Sequence, residues 1–238
     1  MVDAQTTTVA AWAEQLITIH GDQWSAEDLA TLAEQVEALR CAAVCTPSTP
    51  LPPTPLTPTV VRTTAELAEL AKALCGEPVV AVDLETTSLD PRCGQVVGIG
   101  VAVAARTFYV PLHHRDQQTG QLLPDQLLLA EVAAAVNFAE LPLVAHNAKF
   151  ELKWLRQHLG LTPHFTWDVM IAAALLRSDL PAGLKEVAVR ELDVPDWGLS
   201  QADLQAIGFL PIARVARYCA ADCRHILELY RRQVTCLS

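Results

Sequence analysis

Residues 79–89, Val-Val-Ala-Val-Asp-Leu-Glu-Thr-Thr-Ser-Leu, constrain this chain more than any other stretch. A run of β-branched and small apolar residues reads as a buried strand, and it ends in two carboxylates one residue apart. Side chains alternate along a strand, so Asp83 and Glu85 share a face and Leu84 turns into the core. Like charges held side by side at the end of a buried strand repel each other, and a cation between them relieves that repulsion. The same pair could equally be two solvated carboxylates at a strand end, so the decision falls to residues elsewhere.

Upstream, residues 8–19 place Val9, Trp12, Ala13, Leu16 and Ile17 on one helical face, and His20-Gly21-Asp22 breaks the helix. Ser25, followed three residues later by Asp28, reads as an N-cap to a second stripe of Leu29, Leu32, Ala33, Val36, Leu39 and Ala43. Residues 1–45 are thus expected to form a small helical hairpin. Such a hairpin is marginal alone, which implies packing on the main domain, dimerisation or a protein partner. Residues 46–59 hold six of the fifteen prolines. They read as a semi-rigid linker reaching about 40 Å when extended, rather than as a ligand for a proline-binding domain. The main domain is then expected over 60–238.

In that domain Thr63-Thr64 with Glu66 opens a short helix that Gly76 ends. Two more strands, 95–102 and 107–111, follow the acidic strand. A helix is expected over 125–139, a short buried strand over 143–145 and a helix over 146–155. Trp167-Asp168 opens another helix, with further helices over 183–192, 200–206 and 212 to about 234. Three strands followed by alternating helix and strand describe a mixed sheet with helices packed on it, an α/β fold.

Composition bounds the function. The longest apolar run, 96–105, is about half of what a bilayer requires, so no membrane span is expected. The N-terminus carries Asp3 and no basic stretch leading an apolar one, so no secretory signal is expected. Seven scattered cysteines without a CxxC pair suit a reducing, cytoplasmic setting. Cys41/Cys45 and Cys219/Cys223 are each four apart, but neither has a second pair at zinc-site spacing, so metal binding through cysteine is not expected. A formal charge of −10 argues against non-specific coating of nucleic acid. It leaves room for an enzyme that grips a few phosphates through bound cations.

The last helix carries Tyr218-Cys219-Ala220-Ala221-Asp222, with Tyr218 and Asp222 on one face. Asp83-x-Glu85 on a strand, Asn147-Ala148-Lys149-Phe150-Glu151 after a short strand, and Tyr218-x-x-x-Asp222 on a late helix together resemble the three motifs of DEDDy-type 3′→5′ exonucleases. The likeness is greatest to the proofreading domain of bacterial family A DNA polymerases, with ribonuclease D as a relative. Thr86 to Asp90, Trp167 to Met170 and Gly183 to Glu186 extend it over roughly residues 62–232. Three ordered motifs in the expected secondary structure are far more specific than any one alone.

This resemblance implies a ribonuclease H-like mixed sheet of five strands flanked by helices. It implies two divalent ions, Mg²⁺ or Mn²⁺, which would activate water and stabilise the leaving 3′-oxygen. Asp83, Glu85, Glu151 and Asp222 would be metal ligands, with Asp83 bridging. Tyr218 would orient the attacking water, since a phenol with an ordinary pKa of about 10 is a poor base near neutrality. Thr86, Leu89, Asn147, Lys149 and Phe150 would meet the terminal nucleotides. The implied partners are the 3′ end of single-stranded DNA, or RNA, and a DNA polymerase in cis or in trans. The chain would then be a free-standing nuclease or a part of a longer polymerase.

One position departs from the pattern. The family's second motif ends in Asp, whereas here Glu151 has a stem one methylene longer, and a displacement of ~1 Å can cost about a hundredfold in rate. Two other readings therefore stand beside the DNA exonuclease: a ribonuclease D-like RNA exonuclease, and a catalytically impaired binding module. Individual residues also have structural alternatives. Glu151 could face solvent, Asn147 or Asp168 could cap a helix, Thr86 could serve a turn and Leu89 the core. Lys149, Lys153 and Lys185 could meet phosphates or lie on solvated faces, His113-His114 could contact the strand backbone or be a loop pair, and His225 could be a helix-surface residue.

Overall fold

The computed structural model describes residues 57–237. The expected helical hairpin and nearly all of the expected proline-rich linker lie outside them. The order is β1 (Thr59–Val60), α1 (Thr64–Leu74), β2 (Val80–Thr86), β3 (Val96–Val103), β4 (Arg106–Pro111), α2 (Leu129–Ala135), β5 (Leu143–Ala145), α3 (Lys149–Leu159), β6 (Phe165–Asp168), α4 (Val169–Leu176), α5 (Leu184–Leu192), α6 (Gln201–Gln205) and α7 (Ile212–Leu237).

The sheet is mixed, as expected, but has six strands in the order β1-β4-β3-β2-β5-β6. Antiparallel pairing joins β2, β3 and β4, while β5 runs parallel to both β2 and β6. The additional strands are short. β1 is a two-residue edge beside β4, and β6 is paired backbone where Trp167-Asp168 was expected to open a helix. That helix starts one residue later, at Val169. Expected helix 125–139 contracts to Leu129–Ala135, because Asp125 adopts a left-handed φ of 58° and the segment before Leu128 is irregular.

Alternation on the sheet sorts side chains into two layers. Val80, Val82 and Leu84 of β2 pack with Leu67 and Leu70 of α1, Val132 of α2 and Trp154 and Leu155 of α3. Ala81 turns the other way, toward α4, α5 and the second half of α7. The first half of α7 lies over Val97 and Tyr109. Burial of these apolar faces from water is the main term holding helices to the sheet. Glycine decides how closely α7 approaches. A Cβ on Gly100 of β3 would stand 2.4 Å from Cys219 Sγ and 2.8 Å from Cys223 Sγ, so only hydrogen at that position lets the helix seat.

α7 is one 26-residue amphipathic helix, and its inward stripe includes Cys219, Asp222 and Ile226. Among the described residues no helix is long and apolar enough to cross a membrane. The described cysteines, Cys75, Cys93, Cys219, Cys223 and Cys236, are free thiols, in keeping with the sequence.

Candidate active site

The acidic strand supplies the first two groups. Asp83 pairs across the sheet with Gly100 and Glu85 with Gly98, so each carboxylate has a glycine as its cross-strand neighbour. A bulge immediately after Glu85 ends this register and redirects the chain toward Leu89. Leu84 lies in the opposite core, as alternation requires. α7 closes over the same region: Cys219 Sγ lies 3.4 Å from Asp83 Oδ2, and its thiol donates there. Asp83, Glu85 and Cys219 bring one ligand-type atom each to within 4.8 Å of one another.

Glu151 enters from the first turn of α3 and Asp222 from α7. Glu85, Glu151 and Asp222 are 6%, 2% and 4% exposed. Glu151 is therefore not a solvent-facing helix residue. Burial raises every one of these carboxyls, and their mutual repulsion adds to it. Asp83 is pushed up to about 7, by desolvation first and then by the Asp222 charge. Glu85 is raised well above the ordinary value by burial and by Asp83 and Asp222. Glu151 is raised by burial and then by Asp83. Asp222 is also raised by burial, against the pull of the Lys185 ammonium and hydrogen bonds from Lys185 and Trp197.

The sequence marks Lys185 only as a phosphate contact or a solvated lysine, and it gives no sign of Trp197; the structure brings both to Asp222. Lys185 Nζ forms an ion pair with Asp222 Oδ1, and Trp197 Nε1 donates to the same oxygen at 2.6 Å. The ammonium also lies 4.4 Å from the centres of the Trp197 and Tyr218 rings, a cation held between two aromatic faces. Trp197 sits in an irregular segment, where no periodicity marks a residue as inward-facing. Cys219 carried a signal, since it follows Tyr218 and precedes Asp222 by three positions on one helix. Cysteine spacing alone points to no metal site, whereas the structure puts this sulfur beside the acidic pair.

Tyr218 is half-buried, and its phenol is raised above the ordinary value by desolvation and by the charges of Asp222, Glu85 and Asp83. It stays protonated near neutrality, so it can orient a water but cannot abstract its proton. His146, beside this region, is lowered to about 4 by burial and Lys185, and its Nδ1 has no partner.

The turn before α3 is built by Asp168. Its carboxylate caps α4 through Met170 and Ile171 N–H and also accepts from the Asn147 and Ala148 amides, both at 2.9 Å. Asp168 is therefore the expected cap and, in addition, the clamp on the segment leading to Glu151. The clamp holds Asn147 at a left-handed φ of 64°. Asn147 does not cap α3: Ala148 holds that place, and the buried Asn147 Oδ1 has no partner.

The other expected contact residues separate. Thr86 Oγ1 donates to Ser88 O at 2.7 Å, as a turn residue would. Leu89 is 87% exposed, so it does not belong to the core. Phe150 leans on Trp154, half-buried, and Lys149 is exposed. His114 is fully buried, bonded to the Tyr109 hydroxyl at 2.8 Å and to Leu210 O, which makes it structural. His225 is also buried, against the Trp197 ring, and not on the helix surface.

The donor set tests whether a cation fits. Glu85 Oε1 and Glu151 Oε2 are buried without any hydrogen-bond partner. Unpaired carboxylate oxygens in an apolar interior are strongly unfavourable unless protonated or coordinated. Asp83 and Glu85 offer hard oxygen donors that suit a small divalent cation, and the third ligand-type atom gathered with them is the Cys219 sulfur rather than an oxygen of Glu151 or Asp222.

A mixed sheet bearing buried carboxylates on its central strand and on the two helices beside it defines a ribonuclease H-like nuclease fold. Residues 58–233 match a family model described as 3′-5′ exonuclease, and the chain belongs to that 3′-5′ exonuclease family, whose members include the exonuclease domains of family A DNA polymerases. It is 33% identical over 174 residues to DNA polymerase I of Chloroflexus aurantiacus, covering 70% of this chain and 18% of that protein. It is 31% identical over 164 residues to DNA polymerase I of Synechocystis sp., covering 65% and 16%. The chain thus spans less than a fifth of these curated relatives. Among solved structures, the catalytic core of RRP6 from Trypanosoma brucei superposes with a TM-score of 0.58 at 22% identity, covering 85% of this chain and 55% of that one. Escherichia coli RNase D, an exoribonuclease, gives 0.56 at 17% identity, covering 75% and 44%. These two share the fold.

Proposed function

We propose that this protein hydrolyses single-stranded DNA from its 3′ end, releasing nucleoside 5′-monophosphates with the help of two divalent ions, Mg²⁺ or Mn²⁺. The observation that carries the reading is the buried cluster of Asp83, Glu85, Glu151 and Asp222, with raised carboxyls and two oxygens lacking partners. Those four side chains would hold the ions, which when bound would supply an activated water and charge neutralisation at the leaving oxygen.

The chain's own groups account for the rest. Tyr218, kept protonated, fixes the orientation of the attacking water by its hydroxyl. Lys185 neutralises Asp222 and presents positive charge toward an incoming phosphate. Asn147, Lys149, Phe150, Thr86 and Leu89 are the residues that would meet the terminal nucleotides. The longer stem of Glu151 is accommodated in full burial, which supports a catalytic role over an impaired one. The polymerase I relatives favour DNA over RNA and suggest a polymerase as partner, in cis or in trans.

The test is degradation of 5′-labelled single-stranded DNA and RNA of matched sequence with Mg²⁺, Mn²⁺ or chelator, beside Asp83→Ala. A metal-dependent ladder shortening from the DNA 3′ end, absent in the variant, is the expected result. An RNA-only ladder would instead establish the ribonuclease D-like reading. No cleavage by folded protein would sink the catalytic one.

A further inference from the structure

An open groove of about 710 Å³ lies outside the carboxylate cluster, between the β2–β3 loop and the outer face of α3. Leu89, Asp90 and Arg92 form one wall, and Lys153, Arg156 and Gln157 the other. On α3, residues 149, 153 and 156 follow an i, i+4, i+7 spacing, so Lys149, Lys153 and Arg156 form a basic stripe along one face. The opposite face carries Glu151, Trp154 and Leu155 into the interior. The stripe lies on the face of α3 turned away from Glu151 and runs for about 10 Å at the helical rise.

In a chain of formal charge −10, this concentration of cations is unusual. Arg92 is neutralised by its fork to Asp90, whose carboxyl it holds at about 2. Among the described residues neither Lys153 nor Arg156 forms an ion pair, and the Lys153 charge adds to that of Arg92 in drawing the Asp90 carboxyl down. The groove is also rigidly built. His158 stacks on Trp154 with rings 8° from parallel and bonds Pro91 O through Nε2 at 2.9 Å. A Cβ on Gly94 would stand 2.8 Å from the Trp154 ring, so the loop is seated against α3.

We propose that this groove is the track for the strand upstream of the 3′ end, with Lys153 and Arg156 holding successive phosphates. A cationic groove that tracks the backbone is one of the two parts of a single-strand site, and this lining supplies that part without an aromatic stacking surface. The proposal rests on the exonuclease reading above.

Its test is fluorescence anisotropy of the full chain with 5′-fluorescein-labelled oligothymidylates of three and twelve nucleotides, in Ca²⁺ and across a salt series. Lys153→Glu/Arg156→Glu is compared with the charge-matched control Lys72→Glu/Arg232→Glu, thermal melts confirming that both are folded. The groove variant is expected to lose about tenfold or more in affinity for the twelve-mer, to lose less for the trimer, and to show a salt slope shallower by about 1.4. Equal losses in the control, equal losses on both lengths, or no loss would overturn the proposal. Hydrolysis is measured separately with Mg²⁺. A wild-type protein that binds but does not cleave would refute the exonuclease reading while the groove is still decided by anisotropy.

Discussion

Replacing Asp83 by Asn should abolish metal-dependent hydrolysis and yet stabilise the metal-free protein. The Asp83 carboxyl moves from 3.8 to about 7 on folding, chiefly because burial disfavours its charge and Asp222 repels it. The folded state thus keeps a proton that the unfolded chain releases between about pH 4 and 7. Stability is fullest below pH 4 and declines as the pH rises through that window. At pH 8 both states are ionised, and the whole penalty is present. Roughly three pH units at 1.36 kcal/mol each give about 4 kcal/mol. Asn carries no charge, and its amide oxygen can still accept from the Cys219 thiol, so about 2–4 kcal/mol should be recovered. For a domain of this size that corresponds to a rise in Tm of roughly 10 °C. The assay is urea and thermal denaturation of wild type and Asp83→Asn from pH 4 to 8 in chelator. The expected curves converge at pH 4 and diverge as pH rises, and Mg²⁺ restores the wild type but not the variant. A variant less stable than wild type at pH 8, or parallel pH profiles, would refute the electrostatic reasoning.

Other perturbations probe different links. Glu151→Gln keeps the size of the side chain and removes its charge, so it should lower Mg²⁺-dependent hydrolysis about a hundredfold while the melting temperature holds or rises; an unchanged rate would assign Glu151 to the scaffold. Asp168→Ala strips a buried acceptor from four backbone N–H groups. It should cost about 3 kcal/mol in urea denaturation and raise KM through the loosened Asn147 turn, and a loss of stability without any KM change would separate the two roles. Gly100→Ala forces a methyl into the Cys219 and Cys223 sulfurs and should destabilise by about 1–3 kcal/mol. Adding Cys219→Ala should recover part of that loss, and a strictly additive double variant would contradict the contact.

Local patterns carried much of the architecture because they are local. The buried strand at β2, the capping box at Thr63 and Glu66, and the long stripe of α7 follow from periodicity and cap chemistry, which neighbouring residues settle among themselves. Asp83, Glu85, Glu151, Tyr218 and Asp222 stand out as candidates because three motifs recur in order. The structure buries Glu85, Glu151 and Asp222, leaves Asp83 and Tyr218 half-buried, and brings Asp83, Glu85 and Cys219 within reach of one another. β6 and the contracted α2 were not legible. A strand of four residues exists only because β5 pairs with it, and helical propensity near residue 125 yields to a left-handed turn.

Sequence alone determined the kind of groups available: hard carboxylate donors on a strand and two helices, a phenol one turn from Asp222, and cations at helical spacing on α3. Tertiary structure alone decided which of them meet. Lys185 and Trp197 converge on Asp222 from positions 37 and 25 residues away. Cys219 reaches Asp83 across 136 residues, and Asp168 reaches back 21 and 20 residues to fix the turn at Asn147 and Ala148. Contacts over such separations have no period to betray them. They arise when helices dock on a sheet whose glycines leave room, and the same burial that gathers the acids raises their pKa values and leaves oxygens in need of a cation.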